Sequence, residues 1–270
     1  MIGQISLRNN LKDIVESGKF PRFVILTGPK GSGKKLICEE IAHYLGVDNV
    51  IMCGIKVEDI RDIIDAAYRV TTTTVYVVAD ADNMSLAAKN AMLKIMEEPP
   101  NNAYFIMTIN DLSQTLETIR SRGTVFRMNN YTPSELLEYA GDKITNDEKV
   151  IIANVCETPL EVDTIINSGI TDFYDYVKLV VDNIAEVSGS NSFKISQKIS
   201  FKDDPDKYDL MLFWKSFMQI CTERISTDPV RYAIGVRTTS KYLQQLFITG
   251  INKQSVFDMW LLEIRSFWME

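Results

Sequence analysis

"FVILTGPKGSGKK", residues 23–35, joins a short apolar run to a glycine-rich loop and a pair of lysines. An apolar run of this length that ends at a glycine reads as a buried parallel strand. The loop completes the spacing G-x-x-x-x-G-K at Gly28, Gly33 and Lys34. Beyond it, "LICEEIAHYL" at 36–45 carries Leu36, Ile37, Ile41, Ala42 and Leu45 on a helical period. Strand, glycine loop and helix together form the setting in which backbone N–H groups and a helix N-terminus face a phosphate while a lysine supplies charge. Gly28, Pro29, Lys30, Gly31, Ser32, Gly33, Lys34 and Lys35 are therefore candidate nucleotide-binding residues, for ATP or ADP. One position departs from the pattern. Lys35 stands where a Ser or Thr hydroxyl would hold Mg²⁺.

Three further apolar runs extend the same layout. "TVYVVAD" at 74–80 reads as a second buried strand ending in a carboxylate, "AYFIMTIN" at 103–110 as a third ending in a polar residue, and "TVFRM" at 124–128 as a fourth. Between the second and third, "SLAAKNAMLKIMEEPP" predicts a helix with Leu86, Asn90, Leu93 and Met96 on one side, closed by Pro99 and Pro100. Strands that alternate with helices predict an α/β fold with a doubly wound parallel sheet and a ligand at the carboxyl ends of its strands. Gly28 to Lys35, Asp80 and Asn110 all fall at that end.

From Tyr131 onward the texture is helical throughout. "TPSELLEYA", "TNDEKVIIANVC" and "TPLEVDTIIN" are three short helices, each opened by a Thr suited to capping, two of them with Pro in the first turn. Longer helices follow. One places Phe173, Tyr176, Val177, Val180, Val181, Ile184 and Val187 on a stripe, and another does so with Leu210, Phe213, Trp214, Phe217, Met218 and Cys221. The expected organisation is an α/β domain at 1–129, a small helical domain at 130–169 and an all-α domain at 170–270.

Composition narrows the function. With 270 residues and a formal charge of −7, the chain is not one that coats nucleic acid by charge alone. Cys38, Cys53, Cys156 and Cys221 show no C-x-x-C spacing and read as buried thiols of a reducing compartment, not as zinc ligands. His43 has no partner histidine or cysteine pair, so no metal site is expected. No N-terminal signal and no run of 18 apolar residues is present, which predicts a cytoplasmic protein away from membranes.

Three stretches carry more than a generic phosphate loop: "ADNMSLAAKNAMLKIMEEPP" at 81–100, "FIMTIND" at 105–111 and "TIRSRGTVF" at 118–126. Together they resemble the AAA+ subunits of DNA sliding-clamp loaders, most closely the delta-prime kind of bacterial DNA polymerase III. The resemblance is strong to about residue 130 and looser in the helical remainder. It implies that 130–169 is a lid and 170–270 a collar that joins a hetero-oligomer. Implied partners are the other clamp-loader subunits and, through the complex, the sliding clamp and primer-template DNA. "IGQ" at 2–4 matches the family's adenine-side segment, and Asn110 the polar sensor of the γ-phosphate. Ser121 and Arg122 match the family's S-R-C motif, whose arginine reaches a neighbouring subunit's ATP site. Gly123 replaces the cysteine.

Other departures from the family bear on hydrolysis. Active members carry adjacent Asp and Glu after the second strand, whereas this chain reads "VVADAD". In one register Asp80 is the metal ligand and Ala81 replaces the base; in the other Ala79 replaces the ligand and Asp80 takes the base position. "CETPLEVD" at 156–163 lacks the family's phosphate-sensing arginine, and "GVDNVIMCGIKVEDIRDI" lacks its four-cysteine zinc module. The expectation is a hydrolysis-deficient stator that binds ATP or ADP with little or no use of Mg²⁺ and no zinc. The alternatives are a clamp-loader ATPase with weak activity of its own and an autonomous P-loop ATPase.

Overall fold

The computed structural model describes residues 2–142, 144–186, 194–202, 204, 207–248 and 250–269, the side chain of Gln114 excepted. Val187 of the stripe read in the sequence lies outside the described residues. The chain divides into two compact units, Met1–Tyr131 and Thr132–Glu270.

The first unit is built on a five-stranded sheet of β1 (Phe23–Thr27), β2 (Val50–Cys53), β3 (Thr74–Val78), β4 (Ala103–Ile109) and β5 (Thr124–Arg127). The spatial order is β2-β3-β4-β1-β5, and every neighbouring pair is parallel. β1 is buried along its whole length because its side chains alternate between two cores. Phe23 and Ile25 pack with Tyr76, Phe105, Met92 and Ile95 on one face, under α3 (Val57–Arg69) and α4 (Leu86–Glu97). Val24 and Leu26 pack with Val75, Val77, Ile106 and Ile41 on the other, under α1 (Ile5–Glu16) and α2 (Lys34–Tyr44). The short helix α5 (Glu117–Arg120) precedes β5.

Two sequence readings need correction here. A fifth strand, β2, was absent from the run of four; it is an edge strand with Ile51 and Met52 exposed, so its pattern shows neither a buried run nor alternation. In α4 the buried side is Ala88, Met92, Ile95 and Met96, while Leu86 is 63% exposed. The small Ala88 lets that helix lie close to the sheet, a role that a stripe drawn from large side chains overlooks.

The second unit is helical: α6 (Pro133–Ala140), α7 (Asn146–Val155), α8 (Pro159–Asn167), α9 (Ile170–Asn183), α10 (Leu210–Arg224), α11 (Pro229–Gln245) and α12 (Lys253–Trp268). Thr132, Thr145 and Thr158 cap the first three through their hydroxyls, and Pro133 and Pro159 occupy first-turn positions. α7 packs against α9 and α10, and α8 against α9, so these helices and the longer ones belong to one unit. Its centre is aromatic, with Trp260 within 5.1 Å of Phe217 and 5.6 Å of Trp214 between ring centroids. The all-helical texture expected after Tyr131 is interrupted by one short parallel pair, β6 (Ile199–Ser200) with β7 (Tyr208–Asp209).

Candidate nucleotide site and arginine surface

Parallel register sets the site. Thr27 of β1 lies beside Ile109 of β4, and Gly28 N–H donates to Ile109 O at 3.1 Å, so the glycine loop and Asn110 leave the sheet side by side. β3 ends on the other side of β4, where Asp80 N–H donates to the Thr108 hydroxyl at 3.0 Å. Asp80 turns the chain with φ +50°, a left-handed conformation that Asp tolerates better than most residues. The strand ends thus gather Gly28–Lys35, Asp80 and Asn110 as the sequence places them.

The loop has the chemistry to take a phosphate. Gly33 forms the N-cap of α2 at φ +86°, no side chain caps that helix, and its first turn holds no acidic residue. Its N–H groups and the positive end of its dipole are left for an anion. Ser32 is fully buried and its Oγ has no hydrogen-bond partner, an orphan that a phosphate oxygen would satisfy. Tyr131 braces the loop by donating its hydroxyl to Ser32 O at 2.9 Å. Lys30 and Lys35 are exposed, with Pro29 exposed between Gly28 and Lys30.

Lys34 does not reach outward. It is 7% exposed, and its Nζ donates to Gly28 O at 2.7 Å, Pro29 O at 2.9 Å and Asn110 Oδ1 at 2.9 Å. Burial pushes its pKa below the usual lysine range, against the pull of Asp80 and Asp82. Asp82 was not among the residues singled out in the sequence. It accepts from Asn110 N at 2.6 Å and from Asn110 Nδ2 at 2.8 Å, so it fixes Asn110 at both backbone and side chain. The signal was the repeated Asp in "DAD", read only for its first member.

Gln4 stands beside the same edge. Its carboxamide donates to Asn129 O and accepts from Asn129 N, each at 2.7 Å, tying the start of the chain to the second residue after β5. The cysteines are not paired with one another; burial pushes the Cys38 and Cys156 thiols up to about 12. Among the described residues no group of three His, Cys, Asp or Glu side chains is placed to hold a metal ion.

Arg122 lies on the surface between α5 and β5. Its Nε and Nη2 donate to Glu97 Oε1 at 3.0 and 2.8 Å, and its Nη1 to Thr118 O at 3.1 Å. Ser121 Oγ donates to Thr118 O at 3.2 Å. Glu97 is a second missed residue, quoted within "MEEPP" but given no role. Gly123 has a packing reason: a Cβ there would come 2.6 Å from Ile25 Cδ1. In the second unit, "CETPLEVD" carries Glu157 and Glu161, which Lys215 binds at 2.8 and 2.7 Å.

A family model described as DNA polymerase III, delta subunit, matches residues 52–132. The DNA polymerase III subunit gamma of Buchnera aphidicola subsp. Schizaphis graminum is 31% identical over 112 residues, covering 39% of this chain and 31% of that protein. Over these residues the chain is similar to AAA+ subunits of clamp loaders. The Bacillus subtilis DNA polymerase III subunit tau is 26% identical over 180 residues, covering 56% of this chain and 32% of tau. The chain thus spans about a third of the length of these two relatives. A DNA polymerase III gamma subunit-related protein from Thermotoga maritima shares the fold with a TM-score of 0.58 at 19% identity, over 96% of this chain and 98% of its own. Among the described residues no helix is long and apolar enough to cross a membrane.

Proposed function

We propose that this clamp-loader subunit is of the delta-prime kind: a cytoplasmic, stator-like member of a hetero-oligomer that lends Arg122 to the ATP site of a neighbouring subunit. It does not hydrolyse ATP itself. Its partners are the other loader subunits and, through them, the sliding clamp and primer-template DNA.

The observation that carries this reading is the contrast between two sites on the first unit. At the chain's own loop, Lys35 points to solvent where a metal-holding hydroxyl belongs, and the Asp82 carboxylate is committed to Asn110. Gly28 to Lys34 would hold the phosphates of ATP or ADP through backbone N–H groups, while a divalent ion would meet few protein oxygens. A bound nucleotide supplies anionic charge and ties the loop together; turnover is not needed for that. Arg122, by contrast, is a half-exposed guanidinium held by an exposed carboxylate and one carbonyl. A planar, permanently charged fork is the group that stabilises charge spreading over a transferring phosphoryl.

Assembly falls to the second unit. Met259, Leu262 and Met269 of its C-terminal part are 58%, 62% and 63% exposed and follow helical spacing, as expected of a face that other subunits cover.

The test compares two substitutions in the assembled complex. Arginine fingers contribute roughly 10³–10⁵ in turnover at one site, so Arg122→Ala is expected to remove one site's share of the ATPase. Arg122→Lys rescues poorly because an ammonium lacks the fork. Lys34→Ala should do far less harm. The reverse order would identify an ATPase subunit instead of a stator.

A further inference from the structure

We infer that Asp82 and Asn110 form a latch that holds Lys34 on its own loop, so that a nucleoside polyphosphate must draw this lysine off Asn110 before the two can pair. The inference rests on the reading of Gly28 to Lys35 as a nucleotide site and concerns what limits binding there.

An ammonium has three N–H donors, and all three of Lys34 are spent, on Gly28 O, Pro29 O and Asn110 Oδ1 at 2.7, 2.9 and 2.9 Å. A phosphate oxygen can gain a bond from Nζ only in exchange for one of these. The two carbonyls belong to the loop itself and move with it. Asn110 comes from another strand, so its bond is the one that sets where the lysine points.

Asp82 decides which way the Asn110 amide faces. Its carboxylate accepts from Asn110 Nδ2 at 2.8 Å, and Asp80 Oδ1 lies 3.5 Å from the same nitrogen. Turning the amide over would set Oδ1 against Asp82 and Nδ2 against the ammonium, two repulsive contacts in place of two attractive ones. The backbone N–H of Asn110, also bound to Asp82 at 2.6 Å, keeps the whole residue in register. The relay therefore runs from Asp82 through Asn110 to Lys34, and each member has its donors and acceptors matched. The uncapped start of α2 and the buried Ser32 hydroxyl lie outside the relay and are free to meet the phosphate first.

This arrangement predicts an effect opposite in sign to that of a sensor. If Asn110 chiefly contacted the γ-phosphate, its removal would weaken ATP and leave ADP unchanged. If it restrains Lys34, its removal frees the lysine and strengthens both nucleotides.

Calorimetry of the full chain with ATP, with ADP and with inorganic tripolyphosphate, each without Mg²⁺, separates the two. Asn110→Ala is expected to tighten all three by about tenfold, the scale of one hydrogen bond to a charged group. The gain should vanish when Lys34→Met is added. Asp82→Ala, which removes the acceptor that anchors the amide, should move in the same direction by less and serves if Asn110→Ala does not fold. Weaker ATP binding by Asn110→Ala, unchanged binding, or no binding by any variant would each overturn the latch. None of these outcomes touches the role of Arg122, which is read from the ATPase of the complex.

Discussion

At the scale of single residues, Gly123 has a packing reason for standing where the resembled motif carries a cysteine. The cysteine of S-R-C has no room here, because Ile25 of β1 fills the space that a Cβ would enter. Gly123→Cys is expected to destabilise the first unit by about 1–3 kcal/mol through overpacking. Adding Ile25→Val should recover part of that loss, as urea denaturation of the single and double variants would reveal; strictly additive losses would argue against a shared cavity. Glu97 and Arg122 form an exposed pair of the sort worth about 0.2–1 kcal/mol. Glu97→Gln should therefore leave the melting temperature nearly unchanged and, under the proposed function, raise turnover at the neighbouring subunit's site by no more than about fivefold. A fall in turnover would mean that Glu97 aims the arginine instead of restraining it. Lys34 adds a pH signature. Burial lowers its folded pKa below the unfolded value of 10.5, so the unfolded chain binds the proton more tightly. Stability should accordingly rise, relative to Lys34→Met, as pH climbs from the folded pKa toward 10.5; a difference that shrinks over that range would contradict the assignment.

At the scale of elements, helix ends and buried strands were the legible parts of the sequence. Thr132, Thr145 and Thr158 announce three helices, and each caps its helix through the hydroxyl. β1, β3 and β4 read as strands because sheets covered on both faces leave continuous apolar runs. β2 did not, since an edge strand with outward Ile51 and Met52 has no pattern of its own. The glycine loop was legible as spacing, yet the inward turn of Lys34 was not, because it depends on Asn110, 76 positions away in sequence, and on the orientation that Asp82 imposes. Long-range polar relays leave no local mark. The same limit applies to α12, whose buried side is Val256, Phe257, Trp260, Leu261, Ile264 and Trp268. Its exposed Met259 and Leu262 add little to the core, so Met259→Asp with Leu262→Asp should keep the fold within about 0.5 kcal/mol per site. Under the proposed function the same pair should abolish co-elution with partner subunits. Retained assembly would place the interface elsewhere.

At the scale of the whole molecule, the position of a cut decides what survives. Under the proposed function a boundary near Gly169 would separate lid from collar, but contacts run across it. α7 and α8 bury Ile152, Val155, Val162 and Ile165, and they pack against α9 or α10. Lys215 of α10, with only 13% of its side chain exposed, binds Glu161 and Glu157 at the start of α8. Removing residues 170–270 would strip the cover from that apolar surface and leave Glu161, itself largely buried, without its cation. At Tyr131 the situation differs. The five strands, both faces of the sheet and the Tyr131 hydroxyl bond to Ser32 all lie within residues 1–131. A fragment of residues 1–131 should therefore unfold in one cooperative transition, with dispersed amide signals in solution. A fragment of residues 1–169 should bind hydrophobic dye or aggregate, since unpaired apolar helix faces are exposed liabilities. Restoring residues 170–270 in trans should suppress that dye binding if the loss is one of packing. A 1–169 fragment that is monomeric, dye-free and as stable as 1–131 would show that α6 to α8 fold without the longer helices, and the lid would then be a unit in its own right.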